Sequence, residues 1–366
     1  MTLRRFAPAA AAAALLALAC PGRADVKLPA VFDDNMVLQA DQKVPVWGTA
    51  DPGEEIEVRV SVAKASTPIA PDAPPAETLT QSKRAKADDQ GNWKVTLDPL
   101  PPADEPIGFV VTGKNKLTLE NVIVGEVWVA SGQSNMEWSV RASANPDEEI
   151  AGAKFPLIRL FQVKKQVSSD EPLSDTEGKW VVCGPETIEN FSAVAYFFGR
   201  EIHNATGRPV GLIQSAWGGT PAEAWTSREK LESDDDFKPI LDRWAAIDKK
   251  AAAGEEAGED WAGKHGPKHP HHPAGLFNGM IAPVIPYAIK GAIWYQGESN
   301  AGRAYQYREL FPAMITDWRE RWGQGDFPFL FVQLANFMQR KDQPTDSAWA
   351  ELREAQSMTL SLPNTG

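Results

Sequence analysis

The chain is short of cysteine, of positive charge, of histidine and of long apolar runs. Its 366 residues hold two cysteines, Cys20 and Cys183. If the first leaves with an export signal, no intramolecular disulfide can form. Lysine and arginine number 37 against 49 aspartates and glutamates, a net charge of −12. That balance disfavours nucleic acid or an anionic membrane surface as partner. Past residue 24 no segment is long and apolar enough to span a bilayer. The first 24 residues read as an export signal: Arg4 and Arg5 make a basic start, Ala9 to Ala19 a short apolar run, and Gly22-Arg23-Ala24 a cleavage site. Lipidation of Cys20 is the less favoured reading, because Ala17 stands where such signals usually carry a bulkier residue. The mature chain is therefore expected to be exported, periplasmic or secreted, without a membrane span.

What is present suggests about two domains. Hydrophobic residues make up an ordinary 43%, and tryptophans number 13. Tryptophans can stack sugar rings, although they more often pack cores. Residues 25–120 read as all-β and suit a small β-sandwich, with runs such as Val44-Pro-Val-Trp47 and Trp93-Lys-Val-Thr-Leu97 between turn signals. Within them, 62–88 reads as an extended surface loop. From 121 to 366 the rhythm changes to strand, glycine turn, helix. Strands are predicted at Val210–Gln214, Ile289–Trp294 and Phe329–Val332. One helix is predicted from Ile188 to Ala205, with Phe191, Val194, Ala195, Phe198 and Ile202 on one face. A later helix sets Tyr307, Leu310, Phe311, Met314, Ile315 and Trp318 on a stripe. This alternation implies an α/β fold with a parallel sheet covered on both faces, whose ligands bind at the carboxyl ends of the strands. Residues 228–274 read as a long surface insertion. Its histidines, His265, His269, His271 and His272, match no standard metal-ligand spacing and are expected in a solvated loop.

Three turns at predicted strand ends carry the chemistry. The first closes Val127-Trp-Val-Ala-Ser-Gly-Gln-Ser-Asn-Met136 and exposes Ser134, which is either a nucleophile beside backbone N–H groups or simply a helix cap. The second is Trp217-Gly-Gly-Thr-Pro-Ala-Glu-Ala-Trp225. Thr220 and Glu223 form a candidate capping box with Pro221 at the first helical position, while the N–H groups of Gly218 and Gly219 can face an oxyanion. The third holds Gln296, Glu298 and Asn300: an amide to stabilise the oxyanion, a carboxylate to orient a base, or ordinary loop polar groups. No Gly-x-Ser-x-Gly is present, since Met136 replaces the last glycine, which argues against an ordinary α/β-hydrolase.

Taken together, Gly132-Gln-Ser-Asn-Met136, the Gly-Gly-Thr-Pro-x-Glu-x-Trp stretch and Trp294-Tyr-Gln-Gly-Glu-Ser-Asn300 resemble the sialate O-acetylesterase family of SGNH (GDSL-like) hydrolases, close to the acetylxylan esterases of carbohydrate esterase family six. Leu28-Pro-Ala-Val-Phe-Asp-Asp-Asn-Met-Val-Leu38 resembles the β-domain that precedes the catalytic domain in bacterial members. The resemblance implies a flavodoxin-like three-layer α/β/α fold and a serine esterase acting on acetylated sugars, with no metal or organic cofactor. It makes Ser134 the nucleophile. The oxyanion hole would be the Ser134 N–H, Gly218 or Gly219, and the Gln296 amide. Glu298 would support the catalytic histidine, and Gln133, Asn135, Trp217 and Asn300 would line the substrate site. Acetylxylan is the alternative substrate, and a catalytically silent sugar-binding protein the alternative class.

The family takes its base from an Asp-x-x-His element near its C-terminus, after one more strand. This sequence ends at Leu362-Pro-Asn-Thr-Gly366, where that strand is expected to begin, so the expectation is a fragment lacking its acid and base. His203 is placed in the last turn of a helix. The competing expectation has His272 or a neighbour folding over Ser134.

Overall fold

The computed structural model describes residues 25–63, 78–337, 339–343 and 345–366; the expected export signal, with Cys20, lies outside them. In chain order the first half comprises β1 (Val37–Gln39), β2 (Val44–Thr49), β3 (Glu55–Ala63), β4 (Thr78–Lys86), β5 (Asn92–Leu97), β6 (Ala103–Thr112) and β7 (Lys116–Gly132). Then come α1 (Ser134–Glu137), α2 (Pro146–Gly152), β8 (Phe155–Gln162), β9 (Trp180–Cys183), α3 (Ala193–Thr206), β10 (Val210–Ala216), α4 (Arg228–Glu232) and α5 (Lys238–Ala252). The last part holds the two-residue strands β11 (Glu259–Asp260) and β12 (Gly263–Lys264), then β13 (Gly291–Tyr295), α6 (Ala304–Trp322), β14 (Phe329–Phe331) and α7 (Ala348–Met358).

The fold is mixed α/β around one ten-stranded sheet, and β7 is its hinge. Along its first residues exposed and half-buried side chains alternate, and every residue from Val122 onward is buried. The pattern changes because the strand changes neighbours. Lys116 to Asn121 lies against β6 in antiparallel pairing with one face toward solvent, and from Ile123 β1 joins β7 in parallel. Glu126 to Gly132 runs parallel between β10 and β13 with both faces covered. Continuous burial there demands a continuous apolar run. The boundary expected at residues 120 and 121 therefore falls inside a strand, and the sheet of β3, β4 and β6 continues directly into the parallel one. A separate antiparallel pair, β2 with β5, packs nearby. In the stretch 62–88 expected as a surface loop, residues 64–77 lie outside the described residues, and Thr78–Lys86 is a strand paired with β3 along its whole length, its side chains alternating between exposed and half-buried. Alanine and lysine disguised it, since only one of its faces is covered.

The parallel strands are ordered β14, β13, β7, β10, β8, with β9 antiparallel at the edge. Against β8 and β10 lies α3. It starts five residues later than predicted, because Ser192 caps it, its hydroxyl accepting from the Ala195 N–H at 3.0 Å. Phe191 therefore packs from the preceding turn. The predicted stripe of α6 is buried throughout, from Tyr307 to Trp318. Among the described residues no helix is long and apolar enough to cross a membrane.

Residues 228–274 are also structured. They contain α4, α5 and the β11–β12 hairpin, and His269 and His272 are 2% and 4% exposed. The solvated loop expected there is instead a packed subunit of the fold. Cys183 is buried, and burial pushes its thiol up to about 12. It is expected to resist a thiol reagent such as dithionitrobenzoate in the native protein and to react on unfolding; fast native labelling would contradict the packing.

Candidate active site

The register of the parallel sheet decides where the three turns meet. Gly132 pairs with Ala216 on one side and with Tyr295 on the other, so β7, β10 and β13 end level with one another. Each turn leaves from the same edge. The Gln133 N–H donates to the Tyr295 carbonyl at 3.0 Å, and the Trp217 N–H to the Gly132 carbonyl at 3.1 Å. Gly132 has φ of 138°, and a β-carbon there would stand 2.2 Å from the Tyr295 carbonyl oxygen, so only glycine fits this close approach.

Ser134 opens α1 and is exposed. Among the described residues its hydroxyl makes no hydrogen bond. A β-carbon added at Gly218 would lie 3.4 Å from Ser134 Cα and Cβ, which puts the second turn directly against the serine. Side chains then tie the turns together. Glu137 accepts the Gly218 N–H at 2.6 Å and pairs with Lys165. Ser299 donates to the Gly219 carbonyl at 2.8 Å, and Asn135 donates to Glu298 Oε1 at 2.6 Å.

The family model described as carbohydrate esterase, sialic acid-specific acetylesterase matches residues 124–258 and 249–366. The chain belongs to this acetylesterase family. The sialate O-acetylesterases of Mus musculus and Homo sapiens are both 29% identical, over 91% of this chain and 64% and 61% of their own lengths. The chain thus spans a little over three fifths of the curated relatives it matches. Among solved structures, a carbohydrate acetylesterase from Xanthomonas citri is similar at 36% identity and a TM-score of 0.75, covering 93% of this chain and 68% of that one.

Within this acetylesterase framework, several residues expected to touch substrate are turned inward. Gln296 is fully buried, its amide donating to the Thr220 carbonyl at 3.2 Å and to Asn300 Oδ1 at 2.6 Å while its oxygen accepts from Tyr307 at 3.0 Å. With both amide hydrogens engaged, it has none to give an oxyanion. Asn300 is likewise buried, accepting the Ala222 N–H at 2.9 Å and donating to Glu223 at 2.9 Å. Gln133 is 2% exposed and accepts from the N–H groups of Gly297 and Ser299 at 3.4 and 3.3 Å. These three brace the turns rather than line the site. The Gly218 N–H is committed to Glu137, while the N–H groups of Gly219 and Ser134 and the second amide hydrogen of Asn135 have no acceptor among the described residues. Trp217 is half-buried on the groove beside them.

The capping box is also replaced. Ala222–Trp225 forms a short 3₁₀ turn without a side-chain cap. Thr220 donates to the Trp217 carbonyl at 2.7 Å and accepts from the Trp225 indole at 2.9 Å. Glu223 points inward, wholly buried, and meets Arg303 at 2.6 Å, Arg243 at 3.3 Å and Asn300. Sequence reading missed this hub. A signal was available, since a carboxylate in a run of alanine and tryptophan has to find cationic partners once buried.

Glu298 differs from its neighbours. Burial pushes its carboxyl above the usual range, against hydrogen bonds from the backbone and from Asn135 that pull it down. Its Oε2 is buried without a partner among the described residues. An ionised oxygen left unpaired inside a protein is costly unless a donor arrives in the working state. A raised carboxyl means that the fold favours the protonated form, so stability is lost as pH rises through the raised value. The stability of Glu298→Gln relative to the parent is therefore expected to improve as pH rises through that range. Urea unfolding at several pH values checks this, and a difference that stays flat or shrinks would contradict the assignment.

No histidine reaches Ser134 by a hydrogen bond among the described residues. His203 binds the Arg208 carbonyl through Nδ1 at 2.7 Å, in the last turn of α3 as expected. His272 sits between Asp248 at 2.9 Å and the Pro273 carbonyl at 3.0 Å. His265, His269 and His271 surround Asp260, at 3.1, 3.0 and 3.3 Å. Asp260, His269 and His271 could each offer a metal-ligand atom within 4.8 Å of one another. However, His269 Nδ1 accepts the His271 backbone N–H at 3.2 Å, so the proton of the neutral ring sits on Nε2 and is donated to Asp260. The group fits a hydrogen-bonded knot better than a ready metal site. A cavity of about 690 Å³ beside Trp47 and Trp93 includes no residue of the three turns.

Proposed function

We propose that the chain carries the site of an exported serine esterase that removes O-acetyl groups from sugars, with O-acetylated sialic acid the favoured substrate. Its parallel sheet is read as the flavodoxin-like α/β/α core of an SGNH hydrolase. The observation carrying this reading is an exposed, unencumbered Ser134 at the level ends of three strands, with its neighbour Asn135 bonded to Glu298. Ser134 attacks the acetyl carbonyl, and a neutral histidine takes its proton. The Ser134 and Gly219 N–H groups and the Asn135 amide hold the tetrahedral oxyanion. Glu298 Oε2 is the acceptor for the second N–H of that histidine, which keeps the base in the correct tautomer. The intermediate collapses with cleavage of the acyl C–O bond to the sugar, the sugar oxygen takes the proton from the histidine, and the acetyl group stays on Ser134. Water, deprotonated by the same histidine, then cleaves that ester, releasing acetate and returning the proton to the serine. Among the described residues none of the five histidines bonds to Ser134 or Glu298, so the base is identified by its chemistry, a neutral imidazole, and not by residue. Family membership supports the acetyl ester as the bond cleaved; acetylated xylan remains the alternative sugar.

Acetate release from mono-O-acetylated N-acetylneuraminate and from acetylated xylan by the full-length protein tests this reading. Turnover of the sialate in preference to xylan is the expected result, and failure on both would overturn it. Within an active enzyme, Asn135→Ala is expected to lower kcat about 10²–10³-fold, the usual cost of one oxyanion donor. Unaltered kcat would remove Asn135 from that role.

A further inference from the structure

Large apolar side chains at the surface are normally scattered, and one lying on the candidate oxyanion glycine asks for a reason. Trp261, at the tip of the β11–β12 hairpin in the insertion, is 62% exposed. Its ring lies so close over Gly219 that a β-carbon there would come within 2.4 Å of it. Gly219 also has φ of 74°, which favours glycine for a second reason. Trp261 and Trp217 line a groove of about 320 Å³ with Glu137, Lys165, Gly218 and Gly219, immediately beside Ser134. The groove surface is mainly apolar, with one charged pair beside it, Lys165 with Glu137, the ammonium 5.4 Å from the Trp217 ring.

The hairpin is anchored, which separates a built platform from a stray aromatic. Asp260 accepts the Ala262 N–H at 2.8 Å and gathers His265, His269 and His271 around it. These bonds outweigh the desolvation of its carboxylate and hold it down at about 2. The His271 ring packs 5.7 Å from Trp261, and Trp244 of α5 packs against His265, His269 and His272. The clustered histidines thus fix the tip on which Trp261 stands.

We propose that Trp261 is a specificity-determining residue, stacking on the pyranose ring whose acetyl ester lies at Ser134. The inference rests on the esterase reading above. An indole face covers the C–H face of a sugar with little loss of side-chain freedom, and Lys165, Glu137 and the glycine backbone meet its hydroxyls. The insertion therefore works as the sugar-selecting wall of a cleft whose chemistry resides in the three turns.

In the full-length enzyme, Trp261→Ala is expected to lower kcat/KM on mono-O-acetylated N-acetylneuraminate about tenfold more than on p-nitrophenyl acetate, through KM, as loss of one central aromatic contact does. Trp261→Phe should recover most of that loss. Equal losses on both esters, with Phe no better than Ala, would overturn the platform. Calorimetry of the sugar binding to Ser134→Ala enzyme gives a test independent of turnover. Adding Trp261→Ala should weaken Kd about tenfold, and an unchanged Kd overturns the inference even if the parent enzyme is active. Trp261-dependent binding by a parent enzyme that releases no acetate would keep the subsite and sink the esterase reading instead.

Discussion

Ser134→Ala in the full-length enzyme is expected to cut acetate release by about 10⁴–10⁶-fold, the range seen when a serine hydrolase loses its nucleophile. Stability should hardly change, and that separation makes the experiment decisive. Ser134 is exposed and its hydroxyl supports nothing in the described fold, so its loss breaks no hydrogen bond and opens no cavity. A fluorophosphonate should label the parent enzyme at this residue and leave the variant unlabelled. Substantial acetate release by the alanine variant, with the fold intact, would end the nucleophile assignment and with it the proposed mechanism.

Glu223→Ala is expected to act the other way, through the fold. Its carboxylate is wholly buried and joins Arg303, Arg243 and Asn300. Asn300 holds the Ala222 N–H and Gln296, and Gln296 holds Tyr307 of α6. Removing one end of such a network leaves donors without acceptors in a dry interior. Breaking a fully buried ion pair costs about 3–5 kcal/mol. Both arginines are partly exposed, so water recovers some of their solvation and a loss of about 3 kcal/mol is expected. A urea titration reads this as a lower midpoint. Because the network joins the second and third turns, labelling of Ser134 should also slow. An unfolding free energy within about 0.5 kcal/mol of the parent, the scale of an ordinary surface substitution, would show that Glu223 is not the hub described.

Much of this was legible in the chain. Runs of β-formers leading into Gly132, Gly218-Gly219 and Gly297 marked strand ends; at Gly132 a β-carbon would strike the Tyr295 carbonyl, and Gly219 and Gly297 take positive φ. The stripe on α6 was readable because helical period and burial coincide. Reading failed where composition tracked burial rather than secondary structure. The pattern shift near Val122 suggested a domain boundary, yet it marks the point where one strand passes from one covered face to two. The polar residues of the third turn illustrate the same limit. Gln296 and Asn300 are as suited to an oxyanion as to a brace, and only Tyr307 and Glu223, arriving from elsewhere, turn them inward.

Sequence alone determined the family and the order of the three turns and singled out Ser134 as the candidate nucleophile, since these depend on local residue types and spacing. Tertiary structure decided which polar groups stay free, because that depends on partners many residues away. Level strand ends put Ser134 against Gly218, buried acceptors claimed the Gln296 amide hydrogens, and the knot around Asp260 set Trp261 over Gly219. Hydrogen bonds are short and directional, so a group's availability is settled by position in space, which a linear order of residues does not carry.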